Sequence, residues 1–552
     1  MLLKLQKKNK KKIIFKLFDS ESLNQAHKRI FFSTLVFILI YISILIKLTN
    51  VMVISNLSKE LDTKNIGQTK IYDRGSIYDR NGQLLAKNVR SYSLSARPNK
   101  IIDKKNTAFM LSKILGFEEK ILFNKLNSNA HFVWIKRDIS PIEHKKINKI
   151  GEIGLEIVKE RRRLYPQNKL TSHVVGFTNI DEIGLSGIEK GLNKNLERNN
   201  DVILSIDLRL QNIANEELQK QISKFNASGG LSLIMKIDTG EILASVSLPN
   251  FDPNNINYHN SNDLFNSVTQ GVYEMGSTFK PITMAIGFDT DIINEESTFY
   301  VSDPIKIDNK IIKDHSPKTG YLTIREIVVN SSNIATAIIS QLIGKKNQKK
   351  YLSNFGLFEK QITEIPETEK PLIPKYWGNA ATATIGYGYG LSITPLQLCS
   401  VYGALVNGGL LINPTFIKIS EVKNKKRVIK KETSEKVKGL LRAVVLETKY
   451  AGPSAKAIGY EVAGKTGTTE MMTEKGYHKK ANLSSFIGVF PISEPKYLIY
   501  TMIKAAEGKE ETQFQTTGGW IAAPVVGKII RRMINTLGIK PIEQNLLFEN
   551  NI

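Results

Sequence analysis

Gly276-Ser277-Thr278-Phe279-Lys280-Pro281 sets a serine three residues before a lysine, with a proline directly behind. Residues three apart on a helix share a face, so hydroxyl and amine can meet there. A serine hydroxyl is a weak nucleophile until a base takes its proton. Lysine is that base only when neutral, and moving its pKa from about 10.4 to about 7–8 takes roughly 4 kcal/mol of burial and nearby positive charge. The flanking Tyr273, Met275, Phe279, Ile282, Met284 and Ile286 suit burial. Pro281 is tolerated only in a first helical turn. Ser277 therefore stands near a helix N-terminus, where orphan backbone N–H groups can face a developing oxyanion.

The same spacing occurs at Ser420/Lys423 and Ser493/Lys496, in stretches that read as surface and turn. Two downstream groups set Ser277 apart from these copies. Ser331-Ser332-Asn333 comes after an apolar pattern (Leu322, Ile324, Ile327, Val328) and offers a proton-passing hydroxyl and an amide. Lys465-Thr466-Gly467-Thr468 offers a cation, two hydroxyls and a glycine that lets substrate backbone come close. On an edge strand it would bind a peptide by strand addition, the threonines holding a carboxylate. Lys318-Thr319-Gly320 repeats the triplet ahead of Ser331, so the order of motifs must choose between the copies.

Gly459 to Thr466 also fits the phosphate-loop pattern Gly-x4-Gly-Lys-Thr, a remote alternative that would make the chain an NTPase. That loop needs a strand before it and a helix after it, and neither flank reads so. The lone Cys399 excludes a disulfide framework, and the seven histidines lack zinc spacing, so no metal or cofactor is expected. The net charge of +25 suits an anionic partner or a basic proteome with solvated charged faces. The basic arm lacks the interleaved aromatics of a single-strand platform, so nucleic acid is not expected as a partner.

That arm (Lys4 to Arg29) precedes an apolar run from Ile30 to Ile46, extendable through Val51–Ile54. No small-x-small cleavage site comes after it, so it reads as an uncleaved single-pass anchor with the basic side in the cytoplasm. Beyond it, Arg74 to Ala86 reads as a strand, an Asn-Gly turn and a returning strand. The stretch from Lys104 to Lys149 is charged and carries no chemistry that can be named. His173 and Glu189 read as structural residues. Asp207 caps a helix with an apolar face of Leu210, Ile213, Ala214, Leu218 and Ile222. Hairpins at 231–246 and 485–503 and a last helix after Pro524 predict an α+β fold with an antiparallel sheet flanked by helices.

The order Ser-x-x-Lys, Ser-x-Asn, Lys-Thr-Gly resembles the penicillin-binding proteins and serine β-lactamases. Arg74–Ala86, Arg163–Phe177 and Gly187–Glu189 resemble the class B pedestal motifs; Gly386-Tyr387-Gly388, Thr394-Pro395-Leu396-Gln397 and Ala522-Ala523-Pro524-Val525 resemble stretches of the transpeptidase domain. Ser331-Ser332-Asn333 behind Tyr321-Leu322-Thr323 is similar to the division-specific (FtsI-type) branch rather than the elongation branch. Gln167-Asn168 and Tyr387 depart from the family pattern.

The resemblance implies a basic arm (1–29), a transmembrane anchor (30–50), an elongated, mostly-β pedestal or dimerisation domain (65–200), a β-lactamase-like transpeptidase domain (201–540) and a tail (541–552). It implies a D,D-transpeptidase of the bacterial inner membrane, its catalytic domain periplasmic, that cross-links peptidoglycan stem peptides on lipid-linked precursor strands during septation. Ser277 would be the nucleophile and Lys280 its base; Ser331 and Asn333 would relay the proton and hold Lys280. Lys465 would favour the neutral amine, while Thr466 and Thr468, flanking Gly467, grip the substrate carboxylate. β-Lactams would acylate Ser277, and a SEDS-type glycosyltransferase (FtsW) and divisome membrane proteins would be partners. An elongation-type enzyme or a β-lactam sensor is the alternative.

Overall fold

The computed structural model describes residues 20–49, 73–422, 425–473 and 476–541. The basic arm before residue 20, Val51–Ile54, Lys423 and the tail from 542 lie outside these residues. The chain separates into a unit that ends at Tyr72 and one that begins at Asp73.

In the first unit, helix α1 (Ser20–Thr49) contains an apolar segment, Lys28–Leu48, of mean hydropathy 2.4 with none of it buried by protein. Its 21 residues span about 31 Å at 1.5 Å each, the thickness of a hydrocarbon core. Ser33 and Thr34 donate their hydroxyls to Arg29 O (2.9 Å) and Ile30 O (2.8 Å), so the polar groups are satisfied inside the helix. The segment fits a single-pass membrane anchor.

The second unit opens with the expected hairpin, β1 (Ile77–Tyr78) and β2 (Leu84–Ala96). Asp79 Oδ1 accepts from Asn81 N and Gln83 N, both at 2.8 Å, and Gly82 takes φ +84, which closes the turn. The charged stretch then folds as helices α2 (Lys104–Leu115) and α3 (Glu119–Leu126), strand β3 (Val133–Lys136) and helix α4 (Pro141–Asn148). Asp103 caps α2 and a Ser140/Glu143 capping box starts α4. Leu111, Leu122, Ile135 and Ile147 form a separate core with Leu94. Strand β4 (Leu155–Leu164) pairs with β2 from Lys87↔Leu164 to Ala96↔Leu155, and β5 (Val202–Ile203) joins β1.

Arg74 and Arg163 are buried on either side of Glu189, whose Oε2 lies 2.7 Å from Arg74 Nη2 and whose Oε1 lies 2.6 Å from Arg163 Nε. His173 is buried edge-on against Phe251, its Nε2 3.2 Å from Pro249 O, and burial holds its pKa down at about 4. Both are structural positions. Asn168, in the Gln167-Asn168 departure, has φ +46, a left-handed conformation in which asparagine is enriched among non-glycine residues.

The remaining elements that position the site are α5 (Leu208–Lys224), β6 (Gly229–Lys236), β7 (Ile242–Leu248), α6 (Lys280–Asp289), α7 (Ile324–Asn330), α8 (Asn333–Asn354), α9 (Pro395–Val406), β9 (Ala463–Thr473), β10 (Gly476–Phe490), β11 (Tyr497–Lys504) and α10 (Ala523–Leu537), with the short strand β8 (Tyr321–Thr323) ahead of α7. The sheet runs β9-β10-β11-β6-β7, antiparallel throughout. Alternate residues of a strand face opposite sides. Phe486 and Ile499 accordingly join Leu218, Ile529 and Met533 under α5 and α10, while Ile487 and Tyr500 join Met275, Ile282 and Tyr402 under α6 and α9. Both faces are covered by helices, as the hairpin pattern predicts.

Candidate active site

The nucleophile candidate sits on a turn of 3-10 helix, Gly276–Phe279, that runs straight into α6 with Pro281 in its first turn. Ser277 is half-buried, whereas Gly276, Thr278, Phe279 and Lys280 around it are buried. The turn is held from three sides. Thr278 Oγ1 donates to Met275 O at 2.6 Å, Gly276 N donates to Gly388 O at 3.0 Å, and the buried Tyr402 hydroxyl donates to Thr278 O at 2.6 Å. Gly276 has φ +51, and a Cβ on Gly388 (φ +92) would lie 2.1 Å from Gly276 O, so glycine is required where the two segments touch.

Ser331 comes directly after the last residue of α7 in a left-handed conformation, φ +59 and ψ +43. A side chain in that region is strained by about 1–2 kcal/mol. The strain turns the chain so that Ser332 can cap α8, its Oγ accepting from Ala335 N at 3.1 Å. The turn brings three oxygens to one amine. Lys280 Nζ lies within hydrogen-bond reach of Ser331 O, of Ser331 Oγ at 3.1 Å and of Asn333 Oδ1 at 2.7 Å. Lys465 Nζ approaches the same Ser331 Oγ, also at 3.1 Å, and donates to Thr466 O at 3.2 Å. One hydroxyl thus bridges two buried amines.

Among the described residues neither amine has a carboxylate against it, and burial in low dielectric disfavours an ammonium. Lys280 is held well below the ordinary lysine pKa, first by burial and second by the charge of Lys465, with Asp314 opposing both. Burial brings Lys465 down to about 7.

Strand β9 is the edge of its sheet among the described residues, so its outer backbone groups have no strand partner. Thr466 and Thr468 are half-buried on one face, and Lys465 and Gly467 are buried on the other. Thr468 Oγ1 accepts from Gly518 N at 3.0 Å. The close approach expected at Gly467 is made by the chain itself. A Cβ there would lie 2.9 Å from Thr278 Cγ2 and 3.1 Å from Met275 O, so the glycine lets β9 press against the nucleophile turn.

The look-alikes separate cleanly. Lys318-Thr319-Gly320 lies in a loop ahead of β8, away from these contacts. Ser493 and Lys496 lie in the turn between β10 and β11. The phosphate-loop alternative is overturned, because Lys465 and Thr466 lie within a strand that runs on to Thr473, where a phosphate loop would open a helix. Asp314 and Tyr402 contribute to the site without any spacing to the motifs that would have singled them out, whereas Gly388 belongs to the Gly386-Tyr387-Gly388 stretch already quoted.

Two family descriptions match the chain: "Penicillin-binding Protein dimerisation domain" over residues 71–221 and "Penicillin binding protein transpeptidase domain" over residues 230–531. It is 32% identical to the probable peptidoglycan D,D-transpeptidase FtsI of Caulobacter vibrioides, over 85% of this chain and 82% of that one. It is 30% identical to the probable peptidoglycan D,D-transpeptidase PenA of Neisseria meningitidis, over 86% of each. A crystal structure of a peptidoglycan synthetase from Bifidobacterium adolescentis shares the fold at a TM-score of 0.68 and 20% identity, over 86% of this chain and 96% of that one.

Proposed function

The chain belongs to the penicillin-binding proteins that carry a dimerisation domain ahead of a transpeptidase domain, and from that premise we propose how its residues perform peptidoglycan D,D-transpeptidation of the division type. The observation that carries the proposal is the Lys280 amine, buried and held by the neutral oxygens of Ser331 and Asn333 one turn after Ser277. In that state it accepts the Ser277 proton as Oγ attacks the carbonyl carbon of the penultimate D-alanine. Backbone N–H groups of Ser277 and Thr468 receive the oxyanion.

As the intermediate collapses, the bond to the terminal D-alanine breaks and its nitrogen takes the proton through Ser331, whose hydroxyl is shared by Lys280 and Lys465. An amine from a neighbouring stem then attacks the acyl-enzyme, its proton returns through the same amine to Ser277 Oγ, and the cross-link is complete. Thr466, Thr468 and the cationic fraction of Lys465 hold the substrate carboxylate, with β9 receiving the stem peptide as an added strand beside Gly467. β-Lactams acylate the same serine.

We assign the anchor an inward N-terminus, with the enzyme on the periplasmic side of the inner membrane, by the excess of lysine before residue 30. A SEDS-type glycosyltransferase (FtsW) and divisome membrane proteins are its expected partners, and lipid-linked strands its substrate. The test is mass spectrometry after labelling with a fluorescent penicillin. The adduct should map to the peptide holding Ser277, and Ser277→Ala should remove it entirely. An adduct that survives the substitution refutes the assignment.

A further inference from the structure

Asp314 is buried in the loop between the short strands Lys310–Ile312 and Tyr321–Thr323, outside the three motifs. Its carboxylate is engaged by the Ser331–Asn333 turn. Oδ2 accepts from Ser332 Oγ at 2.7 Å, and Oδ1 accepts from Asn333 N and, at 3.0 Å, from Ile334 N. The neighbouring Lys313 O accepts from Asn333 Nδ2 at 3.1 Å, which orients the amide so that Oδ1 faces Lys280. This single loop therefore fixes the backbone directly after Ser331 and the rotamer of Asn333, which holds the amine.

The charge matters as well as the bonds. Lys280 is faced by Lys465 from β9, by Asp314 from this loop, and by the neutral Ser331 and Asn333 from the α7–α8 turn. Burial and Lys465 both favour the neutral amine. A general base must also carry the proton it has taken until it can hand it on, and a base driven too far toward neutrality accepts protons poorly. A negative charge near the turn offsets that drive.

Resting on the transpeptidase reading above, we propose that Asp314 is a positioning residue for acylation: it locks the Ser331–Asn333 turn around the Lys280 amine and supplies the counter-charge that lets this amine hold a proton. The carboxylate does not touch Ser277 or the substrate; it acts through Lys280.

The test is the rate at which a fluorescent penicillin acylates the full-length protein in detergent, measured from pH 5 to pH 10. Asp314→Asn keeps the shape and can keep hydrogen bonds to the turn, but removes the charge. Lys280 then loses a proton more easily, so the acid limb of the profile should move about one pH unit to the acid side. Its plateau should fall roughly tenfold, because the base is weaker. An acid limb that coincides with that of the unsubstituted protein overturns the proposal. Should Asp314→Asn fail to fold, Asp314→Glu carries the test. With the charge kept but displaced by a methylene, the limb should stay in place while the plateau falls about tenfold. A glutamate variant equal to the parent in both respects is the contrary result. Absence of labelling in the unsubstituted protein would instead strike the transpeptidase reading itself, and this proposal with it.

Discussion

Arg74 and Arg163 are buried in the N-terminal region as deeply as Lys280 and Lys465 are beside the nucleophile turn, with side chains 1% and 2% exposed. Their surroundings are opposite. The two guanidinium groups share Glu189, and their remaining N–H groups reach Asn193 Oδ1, Asn88 Oδ1, Glu189 O and Gly75 O. A guanidinium stays charged at any usable pH, so it must be paired when buried. Among the described residues the two lysine amines meet hydroxyl, amide and carbonyl oxygens and no carboxylate, and lysine can escape the cost of burial by giving up its proton. The first arrangement fixes a structure. The second leaves a base.

Exchanging the chemistry of the two regions should break each in its own way. Lys280→Arg puts a group that cannot be deprotonated where the base is needed. Penicillin acylation of Ser277 should fall roughly 10³- to 10⁴-fold, measured by stopped-flow labelling. In the other region, Glu189→Gln leaves two buried guanidinium groups without their anion. Denaturant unfolding should show a loss of about 3–5 kcal/mol, while the protein that remains folded acylates at the parent rate. A Glu189→Gln protein of undiminished stability would mean that the neutral partners suffice, and the contrast would dissolve.

The smaller effect concerns pH. An unfolded chain protonates Lys465 below about pH 10.4, but the folded chain does so only below about 7. Between these values the unfolded state binds more protons, so stability rises with pH across the window. The penalty is fully developed below pH 7 and disappears near pH 10.5. Lys465→Met removes it, so the variant should gain stability over the parent, by an amount on the order of a few kcal/mol at pH 6 and close to none at pH 10. Parallel stability curves for the two proteins would contradict the assignment of a buried, depressed amine.

The sequence makes the reactive groups legible because they travel in short motifs whose order is specific. The structure brings Lys280 to Ser331 and Asn333, and Lys465 to Ser331 and Thr466, and the hairpins behind them form the antiparallel sheet. The groups that support them are hidden, since a support is defined by distance in space and not along the chain. Asp314 reaches Asn333 from 19 residues upstream, and Tyr402 reaches Thr278 from 124 residues downstream. Gly467 reads as an opening for substrate, but a glycine does not reveal which backbone approaches it. The 104–149 stretch lacks a readable chemistry for a different reason. Its apolar residues are divided among three short helices and a strand, so no single period runs long enough to be read.

The claim beneath the rest is that the Lys280 amine is uncharged often enough at neutral pH to take a proton from Ser277. Heteronuclear NMR of ¹⁵N-lysine-labelled full-length protein, with the Lys280 Nζ signal assigned by its absence in Lys280→Met, reads that charge directly. The signal should report a predominantly neutral amine at about pH 7.5. An amine that remains fully cationic up to about pH 9 would contradict the account.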